Sequence, residues 1–249
     1  MVVDLSIVLA TYNESDNLPF LLREIDSKVD TSKQIIFVDD GSTDNTRNVI
    51  LEYVTKEQSS KYVFNNGKQT LLRADCQGIS VADGEFVIIM DSDLQHPPDL
   101  IPQIVERLKD RYDIVIASRY TNGGSTGNRD AVRGLISRIA SFLARTILYS
   151  SRKTTDPLSG YFGFKKDLFK QINPNWRGYK LLLFILAENP SARICEVSYK
   201  FHERENGSSK IVGGAQFLRI YLTELILAKR IELTYRKKIL NQNAKEIPP

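Results

Sequence analysis

The chain has 249 residues, which is enough for one large α/β domain or two small ones. Its net charge of +4 and its pI of about 8.9 are too weakly basic to indicate a nucleic-acid partner, and they suit anionic substrates or an anionic membrane face. The two cysteines, Cys76 and Cys195, exclude a disulfide framework and a CxxC metal site, and they favour a reducing compartment.

The first half of the chain alternates buried, β-rich runs with helical segments. Strands are predicted at residues 5–10, 34–38, 85–90 and 114–117, and helices at 18–28, 43–56 and 99–109. This alternation predicts an α/β fold with a mostly parallel, doubly wound sheet flanked by helices.

The second half has a different pattern. Residues 122–128 are rich in Gly, Ser, Thr and Asn and predict a loop. An apolar helix follows at 135–150, interrupted by Arg138 and Arg145, and a long helical pattern covers 215–240. We therefore expect a catalytic domain at 1–212 and a C-terminal helical extension at 213–249.

The sequence carries no targeting or spanning segment that we recognise. The apolar run at 5–10 is too short for a signal peptide, and no stretch reaches the roughly 18 apolar residues that a spanning helix needs. We expect a cytoplasmic protein whose membrane contact is peripheral, at the cytoplasmic face.

Acidic residues follow two of the predicted strands. Asp39 and Asp40 come after the second strand, and Asp91 and Asp93 come after the third. Ligands of open α/β sheets bind at the carboxyl ends of the strands. Carboxylates suit Mg²⁺ or Mn²⁺, with the amide oxygen of Gln95 as a further ligand, although a turn built from Asp and Ser would have the same sequence.

Several motifs, in order, resemble the GT-A family 2 glycosyltransferases. They are ATYNE (10–14), VDDGSTD (38–44) and DSD (91–93). The longer run MDSDLQHPP (90–98) is similar to the polyprenol-phosphate (dolichol-phosphate) mannose synthases. Later segments agree with it: ASRY (117–120), DPLSGYFGF (156–164), GYK (178–180) and ERENGSSK (203–210). The resemblance covers about residues 5–212 and implies a GT-A, Rossmann-like fold.

The resemblance also implies roles for individual residues. The nucleotide would be held by residues at the ends of the first three strands, namely Ala10, Tyr12, Glu14, Asp39, Asp40 and Asp91. The metal and diphosphate would be held by Asp91, Asp93 and Gln95. The acceptor phosphate would be gripped by Arg119, Arg133, Ser137, Arg204 and Lys210. Arginine offers forked donors to phosphate, and Arg133 and Ser137 share a helix face. The catalytic residues would be Asp93, Arg119 and Arg133.

The chain departs from the family pattern at three places. Ala10 stands where the family usually has Pro, and Gly67 alone remains of a glycine-rich loop. Phe184 stands where relatives tend to have an acid, so a sugar contact from that position is lost. Many relatives also carry membrane-spanning helices after the catalytic domain.

The implied reaction is the metal-dependent, inverting transfer of a hexose to a polyprenyl (dolichyl) phosphate, with mannose from GDP-mannose as the expected donor. A phosphate monoester is largely dianionic at neutral pH and needs no general base. The alternatives are a polyprenyl-phosphate glucosyltransferase that uses UDP-glucose, another family 2 enzyme, or a catalytically silent binding protein on the same fold. A processive polysaccharide synthase is disfavoured because the sequence lacks a QxxRW element around Trp176.

The helix predicted at 215–240 has two interpretations. Its apolar residues, including Phe217, Leu218, Leu222 and Ile226, are accompanied by cations near its end, which is typical of an interfacial helix. The same pattern is expected of a helix packed on the core or in a dimer.

Overall fold

The computed structural model describes residues 3–125, 131–170, 178–201 and 215–243, with the backbone alone at 131–133, 215–217 and 240–243. The strands are β1 (Leu5–Thr11), β2 (Lys33–Asp39), β3 (Lys61–Phe64), β4 (Phe86–Asp91), β5 (Ile114–Ser118), β6 (Phe162–Lys165) and β7 (Ile194–Ser198). The helices are α1 (Leu18–Lys28), α2 (Thr46–Lys56), α3 (Leu71–Ser80), α4 (Ile101–Asp110), α5 (Ala131–Ile147), α6 (Leu181–Glu188) and α7 (Ala215–Asn243).

The seven strands form one sheet in the order β3-β2-β1-β4-β6-β5-β7. All neighbouring pairs are parallel except those of β6, which runs antiparallel between β4 and β5. The mostly parallel α/β sheet predicted from the sequence is therefore confirmed. The middle of each central strand is apolar on both faces because helices cover both sides of the sheet.

Two apolar layers enclose the sheet. Ile7 and Leu9 of β1 face α1 and α4, whereas Val8 faces the layer that contains α3, α6 and α7. This alternation follows from the two-residue period of a strand. Gly78 lets α3 approach β1 closely, since a Cβ atom there would lie 2.3 Å from the Val8 side chain.

The sequence pattern missed five elements. The strands β3, β6 and β7 have only four or five residues, which is too short for a clear period. The helix α3 follows the segment that resembles a glycine-rich loop, and α6 is buried on every side, so it lacks a polar stripe.

The C-terminal helix α7 packs on the core and also exposes apolar side chains, so it has features of both structures expected from its sequence. One face is buried with α6 through Tyr221, Leu225 and Ala228, while Leu222 and Ile226 on the adjoining face are exposed. Among the described helices, none is long and apolar enough to cross a membrane. Because α7 completes the core, its removal would expose apolar surface of the catalytic domain.

Glu188 at the end of α6 makes the stability of the fold depend on pH. Burial raises the pKa of its carboxyl to about 7, although Lys170 opposes the shift. The neutral acid is favoured in the folded state, so its stabilising contribution is complete below about pH 4.5 and is lost as the pH rises through 7.

We predict that Glu188→Gln increases the free energy of unfolding relative to wild type by about 1–3 kcal/mol more at pH 8 than at pH 5, because glutamine cannot ionise. Urea denaturation at both pH values measures this. Glu106→Gln, an exposed change on α4, is the control. An equal effect of Glu188→Gln at both pH values would contradict the prediction.

Candidate active site

Three parallel strands end side by side at one edge of the sheet. Thr11 at the end of β1 pairs with Asp39 of β2, and Ala10 pairs with Asp91 of β4. The hydroxyl of Ser92 donates to the Ala10 carbonyl at 2.8 Å, which ties the loop after β4 to β1. The acidic residues that are far apart in sequence are thereby brought to one edge.

Asp39 organises the loop that follows β2. Its side chain is fully buried, and its carboxylate accepts hydrogen bonds from the amides of Gly41 and Ser42 and from the Ser42 hydroxyl. The Nε of Arg47 lies 2.8 Å from the same carboxylate. These contacts favour a structural role for Asp39 over the direct nucleotide contact that the resemblance implies.

The loop after β1 is joined to the loop after β2. Asn13 has a left-handed backbone (φ 53°), and its Oδ1 accepts the Thr43 amide at 2.8 Å. The Glu14 amide donates to the Thr46 hydroxyl, and the Glu14 carboxylate accepts from the side chain of Asn17. This network holds the segment from Ala10 to Glu14 in place.

Tyr12 and Lys68 face each other across this edge. The Lys68 ammonium lies 5.0 Å from the centre of the Tyr12 ring, which is a cation–π distance. Gly41 has a φ of +81°, and a Cβ atom there would lie 3.0 Å from the Cα of Gly67. Gly67, the one glycine of the segment that stands in place of the family's glycine-rich loop, is thus where that segment packs against the turn after β2.

Asp75 is a buried acid that interacts electrostatically with Asp40, and the sequence gave it no role. Burial raises the pKa of Asp40, although the hydrogen bond from Asn65 opposes the shift. Burial, together with the charges of Asp91 and Asp40, raises the pKa of Asp75 well above its usual range. The available signal was an acid on the apolar face of α3, one turn from Leu72 and from Ile79.

The turn after β4 holds Asp91, Asp93 and Gln95 together. The Asp93 side chain is buried and accepts the Gln95 amide at 3.2 Å, while Asp91 is 39% exposed. Leu94 has a φ of +64°, which is strained for a residue with a side chain. His96 is buried, and its Nδ1 accepts the Asp91 amide at 2.9 Å, so this histidine braces the turn.

The donor set of this turn fits a partly protein-bound Mg²⁺ or Mn²⁺. Asp91 and Asp93 supply hard carboxylate oxygens, as magnesium prefers. In the described part of the chain, no three His, Cys, Asp or Glu side chains form a complete metal site. A metal held here would therefore need ligands from water and from a substrate, which is how Mg²⁺ binds with substrate phosphates.

A second charged group lies at the end of β5. The Nε and Nη2 of Arg119 each lie 2.8 Å from the Asp156 carboxylate, in a fork that is almost completely buried. Burial opposes ionisation, but the Asp156 contacts dominate and raise the pKa of the Arg119 guanidinium. The Tyr120 hydroxyl next to it donates to Ser137 of α5 at 3.0 Å.

Tyr120 lies between two residues of the predicted acceptor site, because its ring is 5.4 Å from the Arg119 guanidinium and its hydroxyl is bonded to Ser137. Arg133 lies one helical turn before Ser137 on α5, where the structure describes its backbone alone. Arg204 and Lys210 lie outside the described residues. The grouping of all five around one phosphate therefore stays a prediction.

Lys180 lies between the two charged groups and was assigned no role from the sequence. Its amide, like that of Tyr179, donates to the buried Glu224 of α7. Burial and the nearby Arg119 lower the pKa of Lys180, while Glu224 and the carboxylates of Asp156 and Asp91 favour its charged form. The Lys180 ammonium donates to the Leu158 carbonyl at 3.3 Å, and carboxylates from both groups favour its charged form.

A family model decides where this chain belongs. Residues 6–172 match the model described as glycosyl transferase family 2, which is more than half of the chain. The chain belongs to glycosyl transferase family 2. This assignment agrees with the order of the acidic motifs along the sheet edge.

Three curated relatives of this family 2 glycosyltransferase share the name dolichol-phosphate mannosyltransferase. The chain is 36% identical over 217 residues to the protein of that name from Pyrococcus furiosus, and the match covers 85% of this chain and 60% of that relative. It is 30% identical to the protein of that name from Saccharomyces cerevisiae, covering 86% of this chain and 83% of the relative. The chain thus spans less than two thirds of the archaeal protein's length.

Solved structures share the fold of this family 2 glycosyltransferase at lower identity. Glucosyl-3-phosphoglycerate synthase from Mycobacterium tuberculosis, in complex with UDP, superposes with a TM-score of 0.65 at 20% identity. The match covers 90% of this chain and 80% of that one. The likeness establishes the GT-A-like fold.

The fork between Arg119 and Asp156 yields a stability prediction. We expect Asp156→Ala to lower the free energy of unfolding by about 3–5 kcal/mol, because it leaves the Arg119 charge buried and unpaired. Asp83→Ala removes an exposed pair with Lys61 and should cost less than about 1 kcal/mol. Chemical denaturation of both variants measures the difference, and equal losses would contradict the prediction.

Proposed function

We propose that this chain transfers a mannosyl group from GDP-mannose to a polyprenyl (dolichyl) phosphate, with inversion at the anomeric carbon. The observation that carries the proposal is that β4 and β5 are both antiparallel to β6, so they run in the same direction and end at one edge of the sheet. The acidic, metal-suited turn after β4 and the Arg119–Asp156 fork after β5 therefore lie at the same edge. The name shared by the curated relatives supports mannose and dolichyl phosphate.

In this proposal the donor nucleotide lies along the ends of β1, β2 and β4. Tyr12 and Lys68 offer an aromatic face and a cation, and Asp40 offers a hydrogen-bond acceptor to ribose or base. Asp91 and Asp93 would hold a divalent cation, which would act as a Lewis acid that stabilises the leaving diphosphate. Mn²⁺ accompanies UDP-glucose in one solved structure of the same fold, which favours a divalent ion of this kind.

The acceptor phosphate would meet the other side of the site. The phosphate is already a nucleophile near neutral pH, since its second pKa is about 6. Asp156 orients Arg119 so that the guanidinium edge not bonded to Asp156 can hold the phosphate, and Arg133 and Ser137 would complete the grip. Catalysis then rests on positioning two anions that would otherwise repel each other.

The experiment that tests the proposal is a transfer assay with a polyprenyl phosphate and Mg²⁺ or Mn²⁺. We expect the wild-type protein to transfer mannose from GDP-mannose, and to use UDP-glucose more than about tenfold less well. Mass spectrometry of the lipid product measures both reactions. Preferential use of UDP-glucose would replace the mannosyl proposal with the glucosyl alternative.

Asp93→Ala tests the metal dependence, because it removes one of the two proposed carboxylate ligands. Loss of Lewis-acid stabilisation is worth several kcal/mol, so we expect at least a thousandfold loss of transfer. Asp110→Ala, on an exposed end of α4, should retain activity. Full transfer by Asp93→Ala in the presence of EDTA, with both variants folded, would refute the metal-dependent mechanism.

A lipid acceptor requires contact with a membrane surface, and we propose a peripheral contact at the cytoplasmic face. The exposed faces of α5 and α7 are apolar and adjoin cations. They include Leu135, Ile136, Ile139 and Phe142 of α5 and Leu218, Leu222 and Ile226 of α7. Since α7 also packs on α6, point substitutions test the contact better than removal of the helix.

We expect Leu222→Gln/Ile226→Gln to reduce flotation with anionic vesicles at least tenfold while the melting temperature changes little, because both side chains are exposed. Leu51→Gln/Tyr62→Gln removes exposed apolar groups from α2 and β3 and is the control. Equal flotation of the two double variants would contradict the interfacial role of α7.

A further inference from the structure

An open cavity of about 470 Å³ lies between the end of β5 and α5. It is lined by Arg119, Tyr120, Thr121, Gly124, Arg138, Ser141, Phe142, Arg145 and Thr155. Of the residues assigned above to the donor, metal or acceptor, the lining shares only Arg119, whose Nε and Nη2 are bonded to Asp156. The cavity therefore adjoins the active site and shares Arg119 with it, while the rest of its lining comes from side chains that have no role assigned above.

Two arginines give the cavity its charge. Arg138 and Arg145 are seven residues apart, which is about two helical turns, so they lie on one side of α5 with Ser141 between them. Within the part of the chain that the structure describes, neither guanidinium forms an ion pair. Glu196 approaches the cavity wall, but its carboxylate accepts hydrogen bonds from Thr154 and Thr155 behind that wall.

Two hydroxyl groups in the lining point to a ligand. The Oγ of Ser141 and the Oγ1 of Thr121 are buried and have no hydrogen-bond partner among the described residues. A buried hydroxyl without a partner is unfavourable, so native proteins usually satisfy it. Hydroxyl donors beside arginines are the combination that binds a phosphate oxygen.

The surroundings of the cavity indicate the source of that phosphate. Phe142 belongs to the lining and is 66% exposed, and Ile139 and Leu135 extend the apolar surface along α5. An anionic group beside exposed apolar side chains matches a phosphate carried on a lipid better than one free in solution.

We propose that this cavity is a second phosphate-binding site, in which Arg138, Arg145, Ser141 and Thr121 hold the phosphate of an anionic membrane lipid next to the acceptor site. The site would orient α5 on the membrane surface. It is independent of the transfer reaction, since binding here involves no sugar donor and no bond is made or broken.

Two binding measurements on the full chain test this site without donor or acceptor. Calorimetric titration with inorganic phosphate at low salt probes a free anion. Flotation with phosphatidylcholine vesicles, with and without phosphatidic acid, probes a lipid phosphate. The variants are Arg138→Gln/Arg145→Gln and the charge-conserving Ser141→Ala.

Each variant has a matched control. Arg23→Gln/Arg107→Gln removes the same charge from exposed positions on α1 and α4, which cover the other face of the sheet from α7. Thr146→Ala removes a hydroxyl that is on α5 but bonded to the Phe142 carbonyl, outside the cavity lining. Thermal melts verify that every variant is folded.

We expect Ser141→Ala to weaken binding about tenfold and the α5 arginine pair about a hundredfold in whichever measurement detects binding, because hydrogen bonds to charged groups are strong. Thr146→Ala should change binding less than twofold. Binding to phosphatidic-acid vesicles that depends on Ser141 and the α5 arginines supports the lipid site, and saturable binding of inorganic phosphate alone would assign the cavity to a free anion instead.

Three results would overturn the proposal. The first is the absence of binding to phosphatidic-acid vesicles, whether or not inorganic phosphate binds. The second is a Ser141→Ala variant that binds like Thr146→Ala, because diffuse charge attraction does not depend on one hydroxyl. The third is an equal loss in the α5 arginine pair and in the control pair on α1 and α4, which would show that the cavity adds nothing to general surface charge.

Discussion

Parallel pairing of β1 with β2 on one side and β4 on the other determines the site. Parallel strands end at the same edge, so the register that pairs Thr11 with Asp39 also places Asp91 beside Ala10. Carboxylates collected in this way repel each other. Arg47 and the amides of the loop after β2 offset that repulsion, because they donate hydrogen bonds to the Asp39 carboxylate.

The acidic residues meet this problem in different ways. Asp39 is surrounded by donors and becomes part of the scaffold, whereas burial favours the neutral forms of Asp40 and Asp75. Asp91 keeps an exposed carboxylate at the mouth of the site. This difference separates residues that shape the edge from those placed to meet a cation and a diphosphate.

At the end of β5 the buried charge is positive, and a carboxylate compensates it. Arg119 is buried because Asp156 neutralises it, and the contact leaves part of its guanidinium for an anion. Lys180 is held by Glu224 of α7, so the C-terminal helix contributes to the site although it lies at the other end of the sequence. The helix α7 therefore exposes Leu222 to solvent and packs another face into the core of the catalytic domain.

Much of the fold was predictable because long strands and amphipathic helices carry their own periodicity. The strands that end in Asp39 and Asp91 were located to within a residue at their carboxyl ends, and with them the acidic edge of the sheet. The antiparallel strand β6 was not predicted, since four residues give no period and strand direction depends on the partner strands. Its insertion between β4 and β5 separates the two halves of the site.

By itself the sequence determined the α/β class, the order of the acidic motifs and the family. These properties depend on short stretches of sequence and on their order along the chain, so they can be read without the structure. Only the tertiary structure placed Asp75 under the acidic edge, Lys180 between the two charged groups, and Arg138 beside a cavity. Such positions depend on how helices pack across the sheet, and that packing is set by contacts between residues far apart in the chain.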